Sequence, residues 1–292
     1  MAPFFRVAIG IAGLGVSILS GNISAFSAET SGDTRNTDGV YASELSALCA
    51  AMTERGCPID RYLSHPRFRF HETIDASFQQ SAEATGIKNL NDASADQDED
   101  AKEAVFDREL DQYKEKVGFA NRKEMAPRFI EKYRDQLVRC EQEYGISKEI
   151  ITAVIGIESC YGHATGEYYA FNVYVSMYLR NYRQEFALTQ LEELLKFVER
   201  TGTDMFSLQS SYGGAMGYMQ FIPSSLNRWF VGTSLTDMDD AIASVANYLS
   251  YFLETEGSIE RALFNYNRSV FYTRTILEIA EYAKLVEEAG RL

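Results

Sequence analysis

The 292-residue chain has little positive charge, little proline and few histidines. Its 28 Lys and Arg residues are outnumbered by 42 Asp and Glu residues, so the formal net charge is −14. Duplex nucleic acid binds a basic face that displaces counterions, so the charge argues against a nucleic-acid partner. Hydrophobic residues make up 46% of the chain and aromatic residues 13%. This composition excludes global disorder and predicts a folded protein with a substantial core.

The sequence also lacks alternating strand patterns, a βαβ unit and any repeat of fixed period. It therefore predicts an all-α, predominantly helical fold. Gly145 and Ser147 are typical of a helix end followed by a helix cap. The spacing of apolar residues predicts seven helices: Val40–Arg55, Phe129–Tyr144, Lys148–Ser159, Val173–Tyr182, Glu185–Thr201, Thr236–Glu256 and Arg274–Ala289.

A long apolar run is missing as well. The stretch Val7–Leu19 is shorter than the roughly 20 residues that a membrane-spanning helix needs. It follows the positive charge of Arg6 and precedes small residues around Ser24–Ala28, a pattern typical of a secretory signal peptide. We expect residues 1–28 to be removed, which leaves a periplasmic protein with no stable membrane span. A membrane anchor is the alternative interpretation.

Behind this segment the sequence predicts two further parts, at residues 29–105 and 106–292. The first combines an N-terminal helical preamble with loose polar linkers at Thr30–Asp38 and Asn89–Glu103. The second linker is strongly acidic, but it lacks the glycine and the distal glutamate of a calcium-binding loop. We interpret it as a solvated, mobile linker rather than a metal site.

The four cysteines are Cys49, Cys57, Cys140 and Cys160, an even number that allows three disulfide connectivities. Cys49 and Cys57 would close a short loop and are the first candidate pair. Cys140 and Cys160 are a less favourable pair, because consecutive helices place them at different distances from the connecting loop. Zinc is disfavoured by the missing C-x-x-C spacing and the lack of nearby histidines, so no metal is predicted.

One carboxylate stands out against its surroundings. In the segment EIITAVIGIESCYG, Ile151, Val154, Ile155 and Glu158 share one face of a helix whose other faces are also mostly apolar. Burial of a carboxylate raises its pKa, and an acid that stays protonated near neutral pH suits cleavage of a glycosidic bond. A structural ion pair with a core arginine explains Glu158 equally well from this segment alone.

Two later segments carry clustered amides and phenols. Ser211–Ser225 combines three glycines with Ser211, Tyr212, Tyr218 and Gln220, groups typical of a sugar subsite. A glycine-rich bend between core helices is the alternative. Ala262–Tyr272 places Asn265, Tyr266, Asn267 and Tyr272 just before a terminal helix, where a helix cap with surface aromatics explains them equally well.

Taken in order, YGISKEIITAVIGIESCYG, SYGGAMGYMQFIPSS, DAIASVANYL and YNRSVFY closely resemble the lytic murein transglycosylases of the membrane-bound B type, in the lysozyme-like superfamily. The similarity covers Phe129 to about Ala283 and, more weakly, Leu45–Phe78. It implies a lysozyme-like catalytic domain with Glu158 as the catalytic acid and base. The substrate-binding residues that it implies are Arg183, Ser211, Gln220, Tyr266, Asn267 and Tyr272.

The chain departs from the family pattern at three places. Tyr182 stands where a second arginine often precedes Arg183, so the charge of that subsite differs. An EF-hand-like calcium loop of the family is replaced by RWFVGTSLTDMDD, so we expect no calcium there. The long insertion that can precede the Tyr-Asn motif is also missing. No cofactor is expected.

The resemblance implies cleavage of the β-1,4 bond between N-acetylmuramic acid and N-acetylglucosamine in peptidoglycan glycan strands, with formation of 1,6-anhydromuramoyl ends. Glu167 and Glu185 are the other acids considered, but both have polar surroundings. A hydrolytic muramidase on the same fold is one alternative, and a non-catalytic peptidoglycan-binding protein is another. A nucleophilic Cys160–His163 pair is disfavoured.

Overall fold

The computed structural model describes residues 33–34, 41–74 and 99–290. The predicted signal peptide and the acidic residues 89–98 lie outside these ranges. Twelve α-helices lie within the described residues: Ala42–Glu54 (α1), Asp60–Leu63 (α2), Glu99–Lys116 (α3), Phe119–Lys132 (α4), Arg134–Tyr144 (α5), Lys148–Ser159 (α6), Ala170–Leu179 (α7), Gln184–Thr201 (α8), Pro223–Trp229 (α9), Met238–Glu256 (α10), Ile259–Tyr266 (α11) and Val270–Ala289 (α12). The prediction of a predominantly helical, lysozyme-like fold is confirmed.

Helix α6 is the centre of the fold, and α4, α5, α10 and α12 pack against it. Its apolar residues are buried on every side, including Ile151, Val154 and Ile155. The predicted bounds of this helix are correct, and so is its cap, because the Ser147 hydroxyl accepts a hydrogen bond from the amide of Ile150. The carboxyl-terminal end of α6 is less enclosed than its middle, because Glu158 and Cys160 are partly exposed, and we call the opening at Glu158 the cleft.

Six of the seven predicted helices have different bounds in the structure. Four of them differ at one or both ends by one to three residues: Val40–Arg55, Val173–Tyr182, Glu185–Thr201 and Thr236–Glu256. The other two differ more. The segment predicted as one helix over Phe129–Tyr144 is two helices, because the chain turns at Tyr133 (φ −110°, ψ 24°). This turn buries Ile130 of α4 and Leu137 of α5 in the same core from different directions. The last helix begins at Val270 rather than Arg274, since Ser269 caps it by accepting a hydrogen bond from the amide of Tyr272.

Short strands appear where none was predicted. Within the described residues, Asp33–Thr34 (β1) pairs antiparallel with Phe70–His71 (β2), and Tyr168–Tyr169 (β3) pairs with Gln209–Ser210 (β4). The first pair places two residues of the predicted loose linker at 30–38 in a strand. The second predicted linker, Asn89–Glu103, ends earlier than predicted, because α3 begins at Glu99.

The cysteines are free thiols, so the predicted disulfide is wrong in this structure. Cys49 and Cys57 face different neighbours: the charge of Asp60 acts on Cys49, whereas charges of α8, among them Glu192, act on Cys57. Over the part of the chain that the structure describes, none of the helices has the length and hydropathy of a membrane span.

Candidate functional site

Glu158 lies in the last turn of α6, where the helix ends in an unusual way. Cys160 and Tyr161 both adopt left-handed backbone conformations, with φ of 48° and 59°. The buried guanidinium of Arg122, from α4, donates through Nε to the Gly156 carbonyl over 2.8 Å. The Tyr161 hydroxyl returns a hydrogen bond to the Arg122 carbonyl over 2.7 Å. These contacts fix the turn that carries the carboxylate.

The Glu158 side chain is half-buried, and its Oε1 accepts a hydrogen bond from the Tyr272 hydroxyl over 2.8 Å. Burial raises its pKa to about 7, while the Tyr272 hydroxyl and the positive charge of Arg122 oppose the rise. None of the ion pairs among the described residues includes Glu158. The alternative of a simple core ion pair therefore receives no support.

Three further phenols lie within the electrostatic reach of this carboxylate. Burial and the charge of Glu158 raise the pKa of Tyr113 and of Tyr266. Burial also raises the pKa of Tyr248, and the Glu158 charge adds to it. The Tyr113 hydroxyl is buried and has no hydrogen-bond partner, while that of Tyr248 donates to the Asn265 carbonyl over 2.8 Å. The carboxylate thus stands in a cleft rich in aromatic hydroxyls.

Sequence reasoning named Tyr266 and Tyr272 but missed Tyr113, Tyr248 and Arg122. Tyr113 and Arg122 come from α3 and α4, far from the glycine-rich and Tyr-Asn segments along the chain. No short pattern in the sequence marks Tyr113. Arg122 carried one signal, since it is the cation of an otherwise apolar helix face that includes Ala126, Phe129 and Ile130.

The Tyr-Asn segment joins two helices at the cleft. Tyr266 ends α11, Asn267 follows it with an extended backbone, and Tyr272 lies in the first turn of α12. The rings of Tyr266 and Tyr272 stack with centroids 6.4 Å apart. Tyr272 is fully buried, which argues against the alternative of surface aromatics at a helix cap.

The glycine-rich segment forms a compact turn beside the cleft. Ser211 is buried, its amide donates to the Ala215 carbonyl over 2.9 Å, and its Oγ accepts from the Ala215 amide over 3.3 Å. Gln220 has a left-handed backbone (φ 51°), and its Nε2 donates to the Gly217 carbonyl over 2.9 Å. The Tyr266 hydroxyl donates to the Met219 carbonyl over 2.6 Å, which joins this turn to the Tyr-Asn segment.

Gln220 also connects the glycine-rich turn to the loop after α6, because its Nε2 contacts the Thr165 carbonyl at 3.4 Å. Its Oε1 is buried and has no protein hydrogen-bond partner. A buried amide oxygen without a partner is costly, so a donor supplied by a ligand would stabilise it. Glu158, Tyr272, Tyr266, Gln220 and the Ser211 turn therefore form one connected site.

Arg183 lies at the edge of this arrangement. It precedes α8 with a left-handed backbone (φ 51°), and its guanidinium stacks on the Phe186 ring at 4.2 Å. Its charge acts on buried Tyr174, whose hydroxyl donates to the Gly214 carbonyl over 2.9 Å. Arg183 is therefore linked to the glycine-rich turn only through the effect of its charge on Tyr174.

The other groups considered from the sequence lie outside the cleft. The Glu185 side chain is 87% exposed and pairs with Arg55 at 3.6 Å, and Glu167 is also exposed. His163 is exposed, and its backbone amide rather than its ring contacts the Cys160 carbonyl. Neither acid is among the groups that shift the pKa of Glu158, and the Cys160–His163 contact is not that of a nucleophile and its base.

A partly solvated acid with a pKa near 7 can donate a proton and take one back at neutral pH. The surrounding hydroxyls and amides can bind a polar, neutral chain such as a polysaccharide. A helical domain whose central helix ends at such a glutamate is lysozyme-like, and this is the class of protein to which the fold and the site point.

The sequence profile of the Transglycosylase SLT domain matches residues 69–253, more than half of the chain. The chain belongs to this family. Membrane-bound lytic murein transglycosylase B of Escherichia coli K12 is 38% identical over 128 residues, which are 41% of this chain. The match spans 35% of that relative, about a third of its length.

Solved structures show the same fold. The Escherichia coli lytic transglycosylase Slt35 in complex with bulgecin A covers 83% of this chain with a TM-score of 0.60 and 19% identity, over 93% of its own length. SltB3 from Pseudomonas aeruginosa in complex with NAG-anhNAM-pentapeptide covers 72% of this chain, with a TM-score of 0.55 and 21% identity, over 78% of its own length.

Proposed function

We propose that this protein is a lytic transglycosylase that cleaves the β-1,4 bond between N-acetylmuramic acid and N-acetylglucosamine in peptidoglycan. The observation that carries the proposal is the Glu158 carboxyl group, whose pKa burial raises to about 7 beside the Tyr272 hydroxyl. Membership of the family and the lytic transglycosylases among its relatives support the same activity.

In the first step, protonated Glu158 donates its proton to the glycosidic oxygen, and the bond between that oxygen and C1 of the muramoyl residue breaks. The N-acetyl group of the same sugar stabilises the positive charge that develops at C1. Tyr266 and Asn267 are proposed to orient this acetamido group, since both lie where α11 meets the cleft.

In the second step, Glu158 is ionised and removes the proton from the muramoyl C6 hydroxyl. The C6 oxygen bonds to C1, which yields a 1,6-anhydro end and consumes no water. The Tyr272 hydroxyl and the Arg122 charge stabilise the carboxylate between the two steps. Among the described residues, no aspartate or glutamate contributes to the pKa of Glu158, which favours one acid in both roles over a carboxylate pair.

Ser211, Gln220 and Arg183 are proposed to bind the glycan strand beside the cleaved bond. Gln220 offers its unpartnered Oε1 to a sugar hydroxyl or amide donor. Ser211 is held in place by the tight turn with Ala215, and Arg183 supplies a positive charge that acts on Tyr174, whose hydroxyl contacts the same turn at Gly214.

We further propose that the protein acts in the periplasm. The signal-like segment at residues 1–28 and a substrate outside the cytoplasm both favour export. Peptidoglycan glycan strands are the expected partner, and neither a cofactor nor a metal is required by the two steps.

The decisive experiment is mass spectrometry of sacculi digested by the purified protein. Anhydro-muropeptides are expected from wild type and from the control variant Glu185→Gln, whose side chain is exposed at the surface. Glu158→Gln should release none. Reducing ends in place of anhydro ends would identify a hydrolase, and digestion by Glu158→Gln at the wild-type rate would show that Glu158 is not catalytic.

A further inference from the structure

Residues 230–237 form a loop that joins α9 to α10. The side chain of Asp240, in the first turn of α10, closes this loop, because its Oδ2 accepts the backbone amides of Thr233 over 2.8 Å and of Ser234 over 2.9 Å. Hydrogen bonds to a charged acceptor are stronger than those to a neutral one. The roles proposed above for the cleft do not use Asp240, so its contacts with the loop need another explanation.

Gly232 allows the carboxylate to approach the loop. Its backbone has a φ of 116°, which favours glycine, and a Cβ on it would overlap the Asp240 carboxylate. Other contacts hold the two ends of the loop. The Ser244 Oγ accepts from the Val231 amide over 2.9 Å, and the Asp237 Oδ1 accepts from the Asp240 amide over 3.0 Å. Loss of the Asp240 carboxylate would therefore release the middle of the loop and leave both ends attached.

The middle of the loop supports the glycine-rich turn. The Leu235 carbonyl accepts a hydrogen bond from the Tyr218 amide over 3.0 Å. Gly217 packs closely on the same residue, since a Cβ on Gly217 would lie 2.6 Å from the Leu235 carbonyl oxygen. The Gly217 carbonyl in turn accepts the backbone amide of Gln220 over 3.2 Å and its Nε2 over 2.9 Å. The residue that follows the amides held by Asp240 therefore contacts the turn that carries Gln220.

This loop does not suit a cation. In sequence it replaces the EF-hand-like calcium loop of the family, and a calcium loop directs oxygen atoms to its centre. Here two backbone N–H groups point at a carboxylate, an arrangement that stabilises a negative charge. Over the residues that the structure describes, no group of three His, Cys, Asp or Glu side chains could hold a metal. The Asp240 carboxylate thus organises the loop from within the chain.

We propose that Asp240 is a positioning residue for Gln220, and that it holds the glycine-rich turn in place without calcium. It acts through the loop amides, Leu235 and Tyr218 rather than by contact with the substrate. Its effect on substrate binding rests on the proposed function, because Gln220 is proposed there to bind the glycan strand. The contacts between Asp240 and the loop do not depend on that function.

The first test compares variants in the release of anhydro-muropeptides. Asp240→Ala should raise KM about fivefold and leave kcat unchanged, since Gln220 binds the strand and Glu158 is untouched. Asp240→Asn keeps an acceptor oxygen for both amides, so its KM should rise less than about twofold. The matched control is Asp239→Ala, which removes an exposed carboxylate from the same turn of α10 and should behave as wild type. Equal KM increases in Asp239→Ala and Asp240→Ala would assign the effect to helix charge and overturn the proposal.

A double-mutant cycle tests the connection to Gln220. In a Gln220→Ala background, the added Asp240→Ala substitution should change KM by less than about twofold, because the side chain that Asp240 positions is already absent. A further rise of about fivefold would show that Asp240 acts on another part of the protein, and the positioning role would then be wrong.

Amide hydrogen exchange provides a measurement that does not need activity. The amides of Thr233, Ser234 and Tyr218 should be protected in wild type, and Asp240→Ala should speed exchange at all three about tenfold, while the Asp239→Ala control should not. Faster exchange at Thr233 and Ser234 alone would show that the loop does not support the turn, which contradicts the proposal.

Calcium chloride and EDTA complete the test on wild type. Neither should change the exchange rates or the melting temperature, whereas a higher melting temperature with calcium would show that a bound cation stabilises the fold. If wild type releases no anhydro products, the proposed function fails. The exchange rates then still decide whether Asp240 holds the glycine-rich turn.

Discussion

The Tyr272 hydroxyl donates to Glu158 Oε1 over 2.8 Å, although the two residues are 114 positions apart in the chain. The contact exists because α12 packs along α6, and Ser269 starts α12 early enough to place Tyr272 in its first turn. A hydrogen bond to the ionised form of an acid lowers its pKa, so this phenol limits the rise that burial causes at Glu158.

Replacing Tyr272 with Phe should therefore raise the pKa of Glu158 above about 7. Hydrogen bonds to charged groups contribute about 1.5–3 kcal/mol, which corresponds to a rise of about one pKa unit or more. Because the donating step needs protonated Glu158, the alkaline limb of kcat/KM should move to higher pH. The pH profile of anhydro-product release measures this shift. An alkaline limb that stays in place or moves to lower pH would show that the hydroxyl does not lower the pKa of the carboxylate.

Some of this site could be predicted from sequence and some could not. Glu158 was visible because a charge on an otherwise apolar helix is a local pattern, and Ser147 fixed the start of that helix. The partners of Glu158 were not visible from local pattern, since Tyr113 and Arg122 reach it only through packing of α3 and α4. The turn at Tyr133 was missed because the helical periodicity runs through it, and only the shared core explains why the chain changes direction there.

Arg122 should also tune the pKa of Glu158, through its positive charge. Arg122→Met removes that charge and should move the alkaline limb of kcat/KM to higher pH. Arg122→Lys keeps a cation and should shift it less. Both variants lose the Nε hydrogen bond to the Gly156 carbonyl, so a loss of thermal stability is expected in each. Equal pH shifts in the two variants would assign the effect to the lost hydrogen bond rather than to charge.

Glu158 should reduce the stability of the folded protein at alkaline pH. Its pKa is about 7 in the folded protein, against 4.5 for a glutamate free of such surroundings, so folding favours the protonated form. The contribution of Glu158 to the free energy of unfolding is fully present below pH 4.5 and is lost as the pH rises through 7. The difference corresponds to about 3 kcal/mol. Urea unfolding should show Glu158→Gln gaining stability over wild type between about pH 5 and pH 8, and a constant difference across that range would contradict the folded pKa.

In the glycine-rich turn, the destabilisation caused by steric overlap can be distinguished from that caused by a left-handed backbone, by comparing two glycines. Gly214 and Gly257 both have left-handed backbones, with φ of 81° and 80°. A Cβ on Gly214 would overlap the buried ring of Tyr174, whereas a Cβ on Gly257 would meet nothing within 4 Å. Each alanine substitution should cost about 1–2 kcal/mol for the backbone conformation.

Gly214→Ala should therefore lose about 1–3 kcal/mol more stability than Gly257→Ala, because overpacking adds to the strain. It should also lower activity under conditions where the protein stays folded, since the Gly214 amide donates to the Ser211 carbonyl over 2.9 Å and a shift of this backbone displaces Ser211. Urea unfolding and anhydro-product release measure the two effects. Equal losses of stability in the two variants would mean that the Tyr174 ring moves aside. Full activity of Gly214→Ala would show that the Ser211 turn does not contribute to substrate binding.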